Sequence, residues 1–112
     1  MAYDAGLAQR LREALDDYPG VSEKKMFGGL AFLLRGNMFC GVQGRGLMVR
    51  VGAEAYERSL ARRHAREMDF TGRPLTGLVT VEPAGVRSEA QLRSWVERGI
   101  DFASTLPAKR KR

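Results

Sequence analysis

Lys24-Lys25-Met26-Phe27-Gly28-Gly29 is the stretch on which the fold turns. Before it, Pro19-Gly20 ends a helical pattern, and after it apolar residues run through Leu30, Ala31, Phe32, Leu33 and Leu34. The paired glycines admit two readings. A phosphate-cradling loop needs G-x-x-x-x-G-K-[ST] or G-x-G-x-x-G spacing and a helix behind it, and this stretch has neither. The architectural reading fits better: a glycine pair inside a β-type run makes a bulge or bend, which lets one long first strand from Val21 curl or lets a neighbour approach closely.

Two further β-type segments follow, set off by the turn signals Arg35-Gly36-Asn37 and Gly44-Arg45-Gly46. In Met38 to Val42 the residues Met38, Cys40 and Val42 alternate with Phe39 and Gly41. In the next segment Leu47, Val49 and Val51 alternate with Met48 and Arg50. This period of two predicts an antiparallel sheet with one covered face.

Outward from the meander the pattern is helical. Asp4 can cap a first helix with Leu7, Leu11, Ala14 and Leu15 on one stripe. Gly52 is the expected N-cap of a second helix from Ala53 to about Arg63, with Tyr56 and Leu60 inward. Short strands are expected at Arg66–Phe70 and Leu78–Glu82, on either side of a turn at Thr71-Gly72-Arg73-Pro74. Ser88-Glu89-Ala90-Gln91 matches a capping box, which opens a helix carrying Leu92, Trp95, Val96, Gly99 and Ala103 until Pro107 closes it. The expected order is α-β-β-β-α-β-β-α: an α+β domain of five antiparallel strands with packed helices over residues 1–106, then a basic tail, 107–112, mobile as uncapped termini are.

The totals agree with one domain. The 112 residues suffice for one core, and 44% apolar with 29% charged residues is an ordinary globular balance. The net charge of +6 is concentrated at one end. Four of the 19 basic residues are Lys109, Arg110, Lys111 and Arg112; the other 15 stand against 13 acidic residues, a net of +2. The body is nearly balanced, which argues against a dedicated DNA-reading face. No apolar run approaches the ~20 residues of a membrane helix, and the N-terminus lacks the order of a signal peptide. With the single Cys40, these features lead to the expectation of a reducing, cytoplasmic setting without membrane contact.

Lys25-Met26-Phe27-Gly28-Gly29 with Phe32, then Gly36-Asn37-Met38-Phe39 and Leu47 to Arg50, resembles the N-terminal domain of the TfoX/Sxy family. The resemblance covers most of the chain and is most specific in the first meander. It implies a fold shared with secretion-chaperone-like domains, a bacterial setting, and a link to competence control alongside other transcription factors. It supplies no catalytic residues. Met48 and Arg50 stand where the family often has an aromatic and a lysine, and Val79 and Val81 replace aromatics expected in the last strand.

Candidate chemistry is sparse. Cys40 as nucleophile needs a base, and the one histidine, His64, is remote in sequence; on the apolar side of its strand Cys40 reads as a small hydrophobe. One cysteine and one histidine without a ligand pair make no metal site, so no metal or cofactor is expected. Asp16 and Asp17 are adjacent and diverge on a helix. Arg58, Arg62 and Arg66 repeat at i, i+4 and i+8, either as a solvated face or as an anion-binding stripe. The leading expectation is therefore a non-enzymatic regulatory module with a transcription-related protein partner. The alternative is weak, sequence-nonspecific nucleic-acid binding through the arginine stripe and residues 109–112. A homodimer through a free sheet edge is also compatible with the pattern. An enzyme or small-ligand protein would require a polar cleft near Cys40 or His64.

Overall fold

The computed structural model describes residues 3–26, 28–69 and 74–108; Met1, Ala2, Phe27, Phe70, residues 71–73 of the expected turn and the four basic residues 109–112 lie outside the described residues. The chain runs α1 (Ala5–Ala14), β1 (Val21–Met26), β2 (Gly29–Leu34), β3 (Asn37–Gln43), β4 (Gly46–Arg50), α2 (Gly52–Leu60), β5 (Ala65–Asp69), β6 (Pro74–Val81), a 3-10 turn (Pro83–Val86) and α3 (Glu89–Ala103). It is an α+β fold with one antiparallel sheet in the order β1-β2-β3-β4-β6-β5.

The sheet has six strands where the sequence predicts five. The difference lies at the glycine pair. Met26 pairs directly with Gly29, so one strand ends there and a second returns antiparallel beside it, in place of a bend within one strand. Gly28 has φ +75°, a conformation that glycine adopts without steric cost. Gly29 is needed for closeness, since a side chain there would run into the Val42 carbonyl.

A second departure sits in β3. Phe32 pairs with Cys40 but Leu33 pairs with Met38, so Phe39 is an extra, bulged residue. The bulge breaks the expected alternation. Phe39 and Cys40 are both fully buried while Met38 is half-buried. The pairing rows then sort the two faces. Phe32, Cys40, Val49 and Val79 form one row across the sheet, all at most 1% exposed, and Val42, Leu47 and Val81 form the next. These rows join Leu7 and Leu11 of α1, Tyr56 of α2 and Leu92, Trp95 and Val96 of α3 in one core, so the three helices cover this face.

Local chemistry places the helices. Asp4 Oδ1 accepts from the N–H groups of Gly6 and Leu7 at 2.9 and 3.1 Å, which caps α1. Ser88 and Gln91 exchange both bonds of the capping box at 3.1 and 2.9 Å, as the sequence predicts. Gly99 lets α3 lie against β3, because a Cβ there would sit 2.6 Å from the Phe39 carbonyl oxygen. Helix α2 has no side-chain cap; Gly52 at φ +83° turns the chain into it beneath the Phe102 ring. Pro107, assigned to the tail by composition, is tied to the fold: the buried Asn37 donates through Nδ2 to its carbonyl at 2.9 Å.

Candidate functional site

The arginines expected to form a helical stripe belong to three different elements. Helix α2 ends at Leu60, short of the expected Arg63, so only Arg58 lies on it, in the last turn. Arg62 is in the turn that follows, and Arg66 is on β5, where it meets Glu82 at 3.5 Å with both side chains more than half exposed. Such a pair adds little to stability. The i, i+4, i+8 stripe is therefore corrected: a tight turn and a strand interrupt the helix the spacing presumed.

A different cluster replaces it. Trp95, 3% exposed, lies beneath two guanidinium groups, with Arg62 at 5.6 Å and Arg98 at 5.4 Å from its ring centroid. Arg98, on α3, is the member the sequence did not single out. Its helical spacing of three from Trp95 is a usable signal; the arrival of Arg62 from another element is not. Burial, and then the neighbouring charges of Arg62 and Arg58, lower the pKa of Arg98 below the ordinary arginine value, with Asp101 opposing. Its Nε is buried without an acceptor. Among the described residues Arg58, Arg62 and Arg98 make no ion pair.

Two clefts flank the cluster. One, of about 520 Å³, lies between the α2–β5 turn and α3 and is lined by Arg62, Arg63, His64, Gln91, Ser94 and Trp95, with Ala61 and Gly85. The other, of about 660 Å³, lies between the start of α2 and the end of α3 and mixes Arg58 and Arg98 with Glu54 and Asp101.

The meander residues have structural work. Phe32 and Phe39 are core residues, Gly28 and Gly36 hold left-handed turn positions, and Lys24 and Lys25 are exposed on the edge strand β1. Met26 and Met38 are half-buried, and Met38, paired with Leu33, belongs to the sheet face opposite the helices. On that face Lys24, Ala31, Gly41, Met48, Thr80 and Arg66 form a continuous row across all six strands. Cys40 is sealed in the core, and burial pushes its thiol up, away from the thiolate a nucleophile requires. Asp16 and Asp17 are exposed.

A single antiparallel sheet, three helices on one face and a cationic cluster where α2 and α3 meet together define a small α+β domain with two unlike surfaces. Residues 13–103 match the profile of the TfoX N-terminal domain, and the chain belongs to that family. Comparison with curated proteins and with solved structures gives no match. Among the described residues no helix is long and apolar enough to cross a membrane.

Proposed function

We propose that the protein is a non-enzymatic, cytoplasmic regulatory module that works through a protein partner of the transcription apparatus, as the family's link to competence control suggests. The observation that carries the proposal is the sheet face left without helices. Met26, Leu33, Met38 and Leu78 are half-exposed there, around a floor of Gly41 and Met48. Methionine-rich apolar surface adapts its shape to a partner at low cost, and a solvated antiparallel face would otherwise alternate to polar residues.

The test is cross-linking in the native cell with the tagged full chain, followed by identification of what is captured. The expected result is a transcription factor or polymerase subunit that Leu33→Glu and Met38→Glu each release. Recovery of no such component, or equal recovery by both variants, overturns the proposal. Self-capture through the β1 edge, seen as dimer by sedimentation, would make a second copy the occupant and overturns it equally.

A second reading, weak nucleic-acid binding, draws support from the unpaired Arg58, Arg62 and Arg98. Counterion release would then give steeply salt-dependent retention of duplex DNA, reduced on deleting residues 109–112. Salt-insensitive or absent retention removes this reading.

A further inference from the structure

We propose that the cleft between the α2–β5 turn and α3 is a binding site for the phosphate group of a small phosphorylated molecule, held by Arg62, Arg63, His64 and Ser94. These four side chains line one concavity of about 520 Å³, and no carboxylate is among its lining residues. Among the described residues, none of the four side chains makes a hydrogen bond or an ion pair. Gln91, also in the wall, is occupied, since its amide serves the Ser88 cap and the Ala84 carbonyl. A concavity furnished with two guanidinium groups, an imidazole and a hydroxyl, their hydrogen-bonding groups free among the described residues, suits a multiply charged oxyanion, for which arginine offers paired donors. The volume falls within the usual range for small-ligand sites.

The backbone is arranged to present these groups. His64 has φ +69°, a left-handed conformation that costs a β-carbon residue free energy and that surrounding structure must enforce. The His64 carbonyl accepts from the Glu82 N–H at 2.9 Å. Gly85 lets the 3-10 turn pass close beneath it: a Cβ at that position would lie 2.8 Å from His64 Cβ and 2.6 Å from Val81 Cγ1. Arg62 is steadied against Trp95, so less side-chain freedom is lost when it engages an anion.

A nucleic-acid backbone fits this surface less well. Past the buried Trp95 and the guanidinium groups above it, the neighbouring cleft carries Glu54 and Asp101 beside Arg58 and Arg98. A continuous polyanion leaving the His64 cleft in that direction meets carboxylates, whereas one terminal phosphate does not.

The chain has a single tryptophan, and it lies under Arg62, so its fluorescence reports on the site directly. The experiment titrates the full chain with glycerol 3-phosphate, inorganic phosphate, sulfate and a 20-base-pair DNA duplex at fixed ionic strength. Amide shifts are followed by NMR alongside fluorescence. Saturable quenching by glycerol 3-phosphate is expected, with shifts centred on Arg63, His64 and Ser94 and a weaker response to sulfate. Arg63→Ala, at an exposed position remote from the core, should weaken binding about tenfold, the loss expected for one charge-assisted donor pair. Ser94→Ala should weaken it less. Absence of a saturable response, an equal response to sulfate, or unchanged binding by Arg63→Ala overturns the proposal. So does tighter, salt-steep binding of the duplex, which would assign the surface to nucleic acid.

Discussion

Gly41 stands in the middle of β3 with its neighbours too close for a side chain: an added Cβ would lie 2.7 Å from the Leu30 carbonyl oxygen and 3.0 Å from Met48 Cε. The methionine can move; the backbone oxygen cannot. Gly41→Ala should therefore cost about 1–3 kcal/mol by overpacking, measured as a lower urea midpoint with unchanged slope. Gly28 supplies the contrast, because nothing lies within 4 Å of its added Cβ and only its φ of +75° opposes alanine. Its substitution should cost about 1 kcal/mol, through the backbone alone. The two glycines look alike in sequence, yet one answers to a close carbonyl and the other to a dihedral. A residue-scale pH effect is expected at Glu23. Arg12 donates to its carboxylate through Nε and Nη2 at 2.6 and 3.0 Å, and this bond holds the Glu23 pKa below its ordinary 4.5 against a smaller opposing effect of burial. A carboxylate depressed in the folded state stabilises above its unfolded pKa, and that stability is lost as pH falls through the folded value. Glu23→Gln should accordingly flatten the loss of stability below pH 4.5, in acid titrations followed by circular dichroism.

At the scale of elements, the β2–β3 hairpin shows how local chemistry and fold can disagree. Leu34 pairs with Asn37 across a two-residue loop in which Arg35 (φ 49°) and Gly36 (φ 86°) are both left-handed. This geometry matches the twist of the flanking strands, but it favours Asn-Gly over Arg-Gly. Arg35 is exposed and makes no side-chain hydrogen bond or ion pair among the described residues, so Arg35→Asn should stabilise the domain by about 0.5–1 kcal/mol, seen as a raised thermal midpoint. The elements themselves were largely legible in the sequence. The Asp4 cap, the Ser88–Gln91 box and the glycine-bearing turns are short-range signals that survive any tertiary context. What escaped were effects of pairing. The Phe39 bulge exists because β2 needs Phe32 opposite Cys40 and Leu33 opposite Met38, a demand no single strand displays. The first hairpin was hidden because a glycine pair signals a bend or a turn equally well. The cationic site was missed in part for a related reason: Arg62 and Trp95 meet across thirty-three positions, and Arg58 and Arg98 across forty. The regular spacing of Arg58, Arg62 and Arg66 suggested a helix that in fact stops at Leu60.

Across the whole molecule, stability should be graded from the centre of the sheet to its edges. Strands β3, β4 and β6 lie at the centre of the order, and Cys40, Val42, Leu47, Val49, Val79 and Val81 on them are wholly buried. Strand β1 is an edge: from Ser22 to Lys25 every residue is exposed, and only β2 pairs with it. Its detachment exposes little apolar area and breaks one ladder, whereas removing β4 breaks two and opens the core under α3. Local openings of low free energy therefore belong to β1, and openings equal to global unfolding belong to the central strands. Native-state hydrogen exchange should show the amides of Cys40, Val42 and Val49 exchanging only through global unfolding, with a denaturant slope matching the equilibrium value. The β1 amides bonded to β2 should exchange at lower free energy and with little dependence on denaturant. The buried Cys40 thiol gives an independent reading of the same hierarchy. With reclosing faster than reaction, its labelling by a thiol reagent at pH 8 should track the globally unfolded population, and Gly41→Ala should speed it by the factor by which that population grows. Labelling of Cys40 at the rate of the β1 amides would show instead that the edge hairpin and the central strands open together, as one unit.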